Sequence, residues 1–156
     1  MIIRTMEKGE TNMDFVKSLG GREKYYHKTN VKDCVIRAIC NATGNDYKKT
    51  YDEVKTELII YNRKLYRSST KHNSPRNGVP HNVTKKYIEK VLGWTYHKIE
   101  PGSILGEYEF GKGTFLVNLN RHVTCIKDDV LYDSWDCSQG KGRKRNPMIL
   151  GYWSKE

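Results

Sequence analysis

Apolar residues crowd one short stretch in the first third of the chain. Between Asp33 and Gly44 only Arg37, Asn41 and Thr43 are polar. Asp33 is a natural helix cap and Gly44 a natural stop, so the pattern predicts a helix over 34–43. A helix that is apolar nearly all round belongs at the centre of a fold. A second helix is predicted over 47–61, where Tyr47, Tyr51, Val54, Leu58 and Tyr61 recur at spacings of three and four behind Asp46 as cap. Residues 66–82 are dense in turn formers and read as loop. A third helix follows over 84–92 and stops at Gly93.

Beyond Gly93 the strand signals dominate. Strands are predicted over 94–99, 114–119, 122–127, 130–135 and 148–153. The first thirty residues are polar and irregular, and 1–25 are expected to be a poorly ordered extension. Helices first and strands later make the expected class α+β, with the central helix packed on a C-terminal, largely antiparallel sheet in one domain spanning 1–156.

One hairpin is specified in more detail. Asp128-Asp129 separates two strand patterns. A two-residue loop pairs 127 with 130, 126 with 131 and 122 with 135. Side chains alternate, so His122, Thr124, Leu131, Asp133 and Trp135 share one face, while Cys125 and Ser134 point the other way. Asp133 then stands diagonally from His122, within reach of its ring. A three-residue loop would favour Asp136 instead.

These positions carry candidate chemistry. Cys34 comes first in the central helix, where backbone N–H groups favour thiolate over thiol. His122 opens a strand, whereas His27, His72, His81 and His97 lie in polar or irregular contexts. A carboxylate at Asp133 would fix the tautomer and orientation of the imidazole. Cys40 and Cys125 are expected in the core, and Cys137 in a surface loop, with a second thiol near the cleft as the alternative. The four cysteines lack the close paired spacing of a zinc site, and no metal or organic cofactor is implied.

A cysteine beginning the central helix, a histidine on a later strand and an acid on the next strand resemble the papain-like cysteine peptidases in order. Asp133-Ser134-Trp135 looks like the Asn-Ser-Trp that closes the papain triad, with Asp in place of Asn. The arrangement is also similar to the bacteriocin-processing, transglutaminase-like and Josephin branches, and to small phage proteins of the type NVKDCVIRAI…RHVTCIKDDVLYDSWD. The resemblance covers 33–44 and 113–136. It implies Cys34 as nucleophile, His122 as general base and acid, and Asp133 as the orienting group. It also implies an oxyanion donor shortly before the cysteine, usually Gln. Thr29 and Asn30 are the residues available there, with Asn30 able to donate through its amide alongside the backbone N–H of Cys34. The expected activity is hydrolysis or acyl transfer at peptide, isopeptide or side-chain amide bonds.

Charge adds a competing reading. The chain has a formal net charge of +10, which suits an acidic protein or peptide substrate and equally a nucleic-acid partner. The excess gathers over 63–90, with eight basic residues and one acid, and at Lys141, Arg143, Lys144 and Arg145. A basic nucleic-acid-binding or host-interaction protein, on a papain-like fold without catalysis, is therefore the alternative. No stretch is long and apolar enough to span a bilayer or to resemble a secretory leader, so no membrane partner and a cytoplasmic location are expected.

Overall fold

The computed structural model describes residues 13–29, 31–66, 73–139 and 147–155. The fold is α+β: three helices and a six-stranded mixed sheet that does not close. Helix α1 (Cys34–Thr43) runs between the expected bounds, and Gly44 ends it at φ 74, a left-handed position that glycine occupies without strain. Helix α2 (Tyr47–Tyr66) extends beyond the expected 61. Its cap is as read, the Asp46 carboxylate accepting from the Lys49 N–H at 3.1 Å. Helix α3 (His81–Lys86) starts three residues earlier than expected and continues as a π turn over Tyr87–Val91.

The strands are β1 (Asp14–Lys17), β2 (Thr95–Lys98), β3 (Thr114–Leu119), β4 (His122–Lys127), β5 (Val130–Asp133) and β6 (Ile149–Ser154). Their order across the sheet is β1-β5-β4-β3-β6-β2. Five of them pair antiparallel as expected, but β1 adds to β5 in parallel, so the sheet is mixed. This corrects the reading of residues 14–17 as irregular; residues 1–12 lie outside the described residues. Asp14–Lys17 is too short for alternation to show, and its partner lies more than a hundred residues away.

The β4–β5 hairpin has the two-residue loop that the sequence specifies. Lys127 pairs with Val130, Ile126 with Leu131 and Cys125 with Tyr132. Asp128 and Asp129 both take positive φ, 48 and 60, as a tight hairpin turn of this hand requires. Their carboxylates tie the turn to its neighbour: Asp129 accepts from the Phe110 and Gly111 N–H groups, and Asp128 from that of Gly113.

Each face of the sheet has its own core. Val35, Ile36 and Ile39 of α1, with Val54, Leu58, Val83 and Ile88, pack on Leu116, Val123 and Trp153. Met13, Leu105, Val117, Leu119, Ile126, Leu131 and Ile149 fill the opposite side. A fully buried side chain of the Leu or Ile kind contributes about 1.5–3 kcal/mol, so the central helix is anchored by several such terms. Gly20, at φ 66, lets the chain after β1 pass close over α1; a Cβ there would lie 2.9 Å from the Arg37 carbonyl oxygen.

Candidate active site

At one end of the sheet β4 begins, β5 ends, and the first turn of α1 comes level with both. His122 and Asp133 therefore meet α1 there. The His122 Nε2 and Asp133 Oδ2 are 2.6 Å apart, the distance of a charge-assisted hydrogen bond. Cys34 is partly buried at the first position of α1. The His122 ring and the Val123 backbone N–H are the neighbours that favour charge on its sulfur. With Nε2 held by Asp133, Nδ1 is the ring nitrogen left to exchange a proton with Cys34. The structure thus brings together all three residues picked from hairpin parity and helix position.

The electrostatics follow from these contacts. Burial alone would push the Cys34 thiol up, but the His122 hydrogen bond and charge, the Val123 amide and Arg37 outweigh it, and the net shift is downward. Burial disfavours charge on His122 too, yet hydrogen bonds to Asp133, Cys137 and Cys34 raise its pKa well above the ordinary imidazole value. Asp133 is also buried, and its contacts with His122, Thr124 and Arg37 overcome desolvation and hold its carboxyl below the usual range. All three shifts run in the direction of a thiolate–imidazolium pair beside a carboxylate.

Asp133 is fixed by more than His122. Its Oδ2 also accepts from the Thr124 hydroxyl at 2.7 Å, and its Oδ1 from the Ser134 N–H at 2.7 Å. Arg37 Nη2 lies 3.5 Å from the same Oδ1. Arg37 is itself buried and paired with Asp33, which also accepts from Arg22 at 3.0 Å and from the Tyr47 hydroxyl at 2.8 Å. Asp33 stands at the N-cap position, but its carboxylate makes no capping bond to α1. A buried chain of charges instead runs from Arg22 through Asp33 and Arg37 to Asp133. Arg37 four residues after Asp33 was a visible signal for part of it.

Cys137 corrects another expectation. It is 2% exposed rather than in a surface loop, and its sulfur is 3.5 Å from Asp133 Oδ2. The chain after β5 folds back under the hairpin, which strand periodicity does not register. His122, Asp133 and Cys137 place their donor atoms within 4.8 Å of one another, a set that could in principle hold a divalent ion. Tetrahedral zinc ligands stand about 3.4 Å apart, whereas the 2.6 Å between Nε2 and Oδ2 is the spacing of a shared proton.

Cys34 and His122 open onto a cleft of about 810 Å³. Trp135 forms part of its wall, with its ring 6.0 Å from that of His122. Of the two oxyanion candidates, Thr29 is exposed and does not line the cleft, and Asn30 lies outside the described residues. Cys40 and Cys125 are buried in the core as expected, each with its thiol pushed up mainly by burial.

The basic stretch over 63–90 is partly consumed by internal contacts. Arg76 sits over the Tyr26 and Tyr51 rings at 4.1 and 4.2 Å, Lys85 pairs with Glu89, and Lys86 with Glu57. Lys141, Arg143, Lys144 and Arg145 lie outside the described residues. Among the described residues no helix is long and apolar enough to cross a membrane. No family model, curated protein or solved structure matches this chain.

Proposed function

We propose that the protein is a cysteine-nucleophile hydrolase or acyl-transfer enzyme of papain-like type, acting on peptide, isopeptide or side-chain amide bonds. The observation that carries this reading is the convergence of a helix-start cysteine on an imidazole whose far nitrogen is held at 2.6 Å by a buried carboxylate. Separate structural roles for the three groups would not require them to gather beside one cleft.

In this mechanism the Cys34 thiolate attacks the carbonyl carbon, and the carbon–oxygen double bond opens to an oxyanion. The Cys34 backbone N–H, one of the first-turn groups that a helix leaves unpaired, is the donor that would stabilise that charge. His122 then gives its proton to the leaving amine as the carbon–nitrogen bond breaks, leaving a thioester on Cys34. The neutral imidazole next takes a proton from water, or from an acceptor amine, as that nucleophile attacks the thioester; the carbon–sulfur bond then breaks, releasing the acyl product and returning Cys34 as thiolate beside imidazolium. Asp133 keeps Nε2 protonated throughout and stabilises the imidazolium. Thr124, Ser134 and Arg37 hold the carboxylate in place.

The test uses a peptidyl vinyl sulfone, which traps a nucleophilic thiol covalently. Mass spectrometry should find the adduct on Cys34, and His122→Ala should slow its formation by at least about a hundredfold. An adduct spread over all four cysteines, or one that forms equally fast without His122, would remove the basis for the proposal.

A further inference from the structure

The walls of the cleft are charged with one sign. Lys32 and Arg121 line it, and among the described residues no Asp or Glu does. Both side chains are exposed, and among the described residues neither forms an ion pair. Elsewhere exposed lysines do find acids: Lys48 pairs with Asp52, Lys85 with Glu89 and Lys86 with Glu57.

The placement of these two cations is specific. Lys32 is two residues before Cys34, and its backbone is tied down by donation to the Arg76 carbonyl at 2.8 Å. Arg121 directly precedes His122, in the turn between β3 and β4, at φ 58. Glycine is the ordinary occupant of that backbone conformation, so a long cationic side chain is present where a smaller residue would fit with less strain. One of these cations therefore just precedes the helix bearing the nucleophile, and the other just precedes the strand bearing the base.

Apolar surface lies beside them. Trp135 and Leu150 line the same cleft at 39% and 53% exposure, and Val31 and Val79 complete its apolar walls. Two separated cations with aliphatic walls suit a chain that alternates acidic and apolar side chains. A nucleic-acid strand calls for a continuous basic track with several stacking rings, and among the described residues the exposed rings of the cleft are Trp135 and the smaller His81 imidazole.

We infer that the substrate is an acidic peptide segment, bearing Asp or Glu near the scissile carbonyl, held by Lys32 and Arg121 with an apolar neighbour against Trp135 and Leu150. The inference rests on the proposed reading of the Cys34 site. It names the substrate class that this site takes.

Binding can be measured without a reactive thiol. In the Cys34→Ser protein, two fluorescein-labelled hexapeptides are compared by anisotropy, identical in their apolar residues but carrying either two Glu or two Lys. The Glu peptide should bind at least about fivefold tighter at low salt, and the margin should shrink as salt screens the charges. Lys32→Glu combined with Arg121→Glu should reverse the order, and the neutral pair Lys32→Gln with Arg121→Gln should abolish the margin. Equal affinities, an order indifferent to both double variants, or tighter binding of an oligothymidylate of matched charge would each overturn the inference.

A second reading uses intact Cys34 and the ratio of its alkylation rates with iodoacetate and iodoacetamide, which differ by one negative charge. The Gln pair should lower that ratio, and an unchanged ratio counts against the inference. Failure of the nucleophile itself would show separately, as loss of Cys34-selective reaction with iodoacetamide while peptide binding to Cys34→Ser stands.

Discussion

Replacing Asp133 by Asn removes one charge from the centre of the site while keeping its shape. The carboxylate Oδ2 stands 2.6 Å from His122 Nε2, so the charge centres are about 4 Å apart, and at an effective dielectric of about 20 their attraction is about 4 kcal/mol. At 1.36 kcal/mol per unit, that lowers the His122 pKa by about 3 units and moves the equilibrium between thiolate–imidazolium and neutral thiol–imidazole by about a thousandfold toward the neutral pair. The assay has two parts. The ultraviolet thiolate absorbance belonging to Cys34 is taken as the difference between each protein and its Cys34→Ala counterpart. The alkylation rate of Cys34 is followed with iodoacetamide near neutral pH. Asp133→Asn should lower the thiolate signal and slow alkylation by up to about a thousandfold. Circular dichroism serves to show that the variant is folded. A folded Asp133→Asn protein with undiminished thiolate signal and rate would refute the role given to the carboxylate.

Further expectations come from the same contacts. Because the Asp133 carboxyl is held below its ordinary value near 3.9, its contribution to stability is complete above about pH 4 and is lost as pH falls through the lower folded value; chemical denaturation should show this acid limb in the native protein and a shallower one in Asp133→Asn. Arg37→Met leaves Asp33 with Arg22 and Tyr47 but strips the buried network of a central cation, at a cost of about 3 kcal/mol. Thermal denaturation should register this as a fall in Tm of about 6–12 °C, and an unchanged Tm would contradict the network's importance. Gly20→Ala forces a side chain into left-handed backbone and against the Arg37 carbonyl, so it should destabilise by about 1–3 kcal/mol; a neutral or stabilising result in the same assay would contradict the close packing there.

How much of this was legible in the sequence depends on the range of each interaction. Helix α1 and the β4–β5 hairpin are set by neighbours in the chain: a glycine stop, an aspartate pair that accepts positive φ, and strict alternation on either side. Parity in that hairpin was enough to choose Asp133 over Asp136 and to turn Cys125 away from His122. The position of Cys34 behind Asp33 marked it as a nucleophile candidate, although Asp33 turned out to bind arginines and a tyrosine rather than the helix end. What could not be read depends on distant partners. Strand β1 exists because β5 offers it an edge, Cys137 is buried because the chain folds back beneath the hairpin, and Arg22 reaches Asp33 only once the turn after β1 is in place. None of these leaves a local period to detect.

The central claim is that Cys34 is a thiolate held by His122, and the rates at which the four cysteines react compare it directly with three internal references. The native protein is treated with iodoacetamide at about pH 6, quenched over time, digested, and each cysteine quantified by mass spectrometry. Cys34 should be alkylated at least about a hundredfold faster than Cys40, Cys125 or Cys137, and His122→Ala should erase the difference. A Cys34 that reacts no faster than the others, or whose rate ignores His122, would contradict the claim.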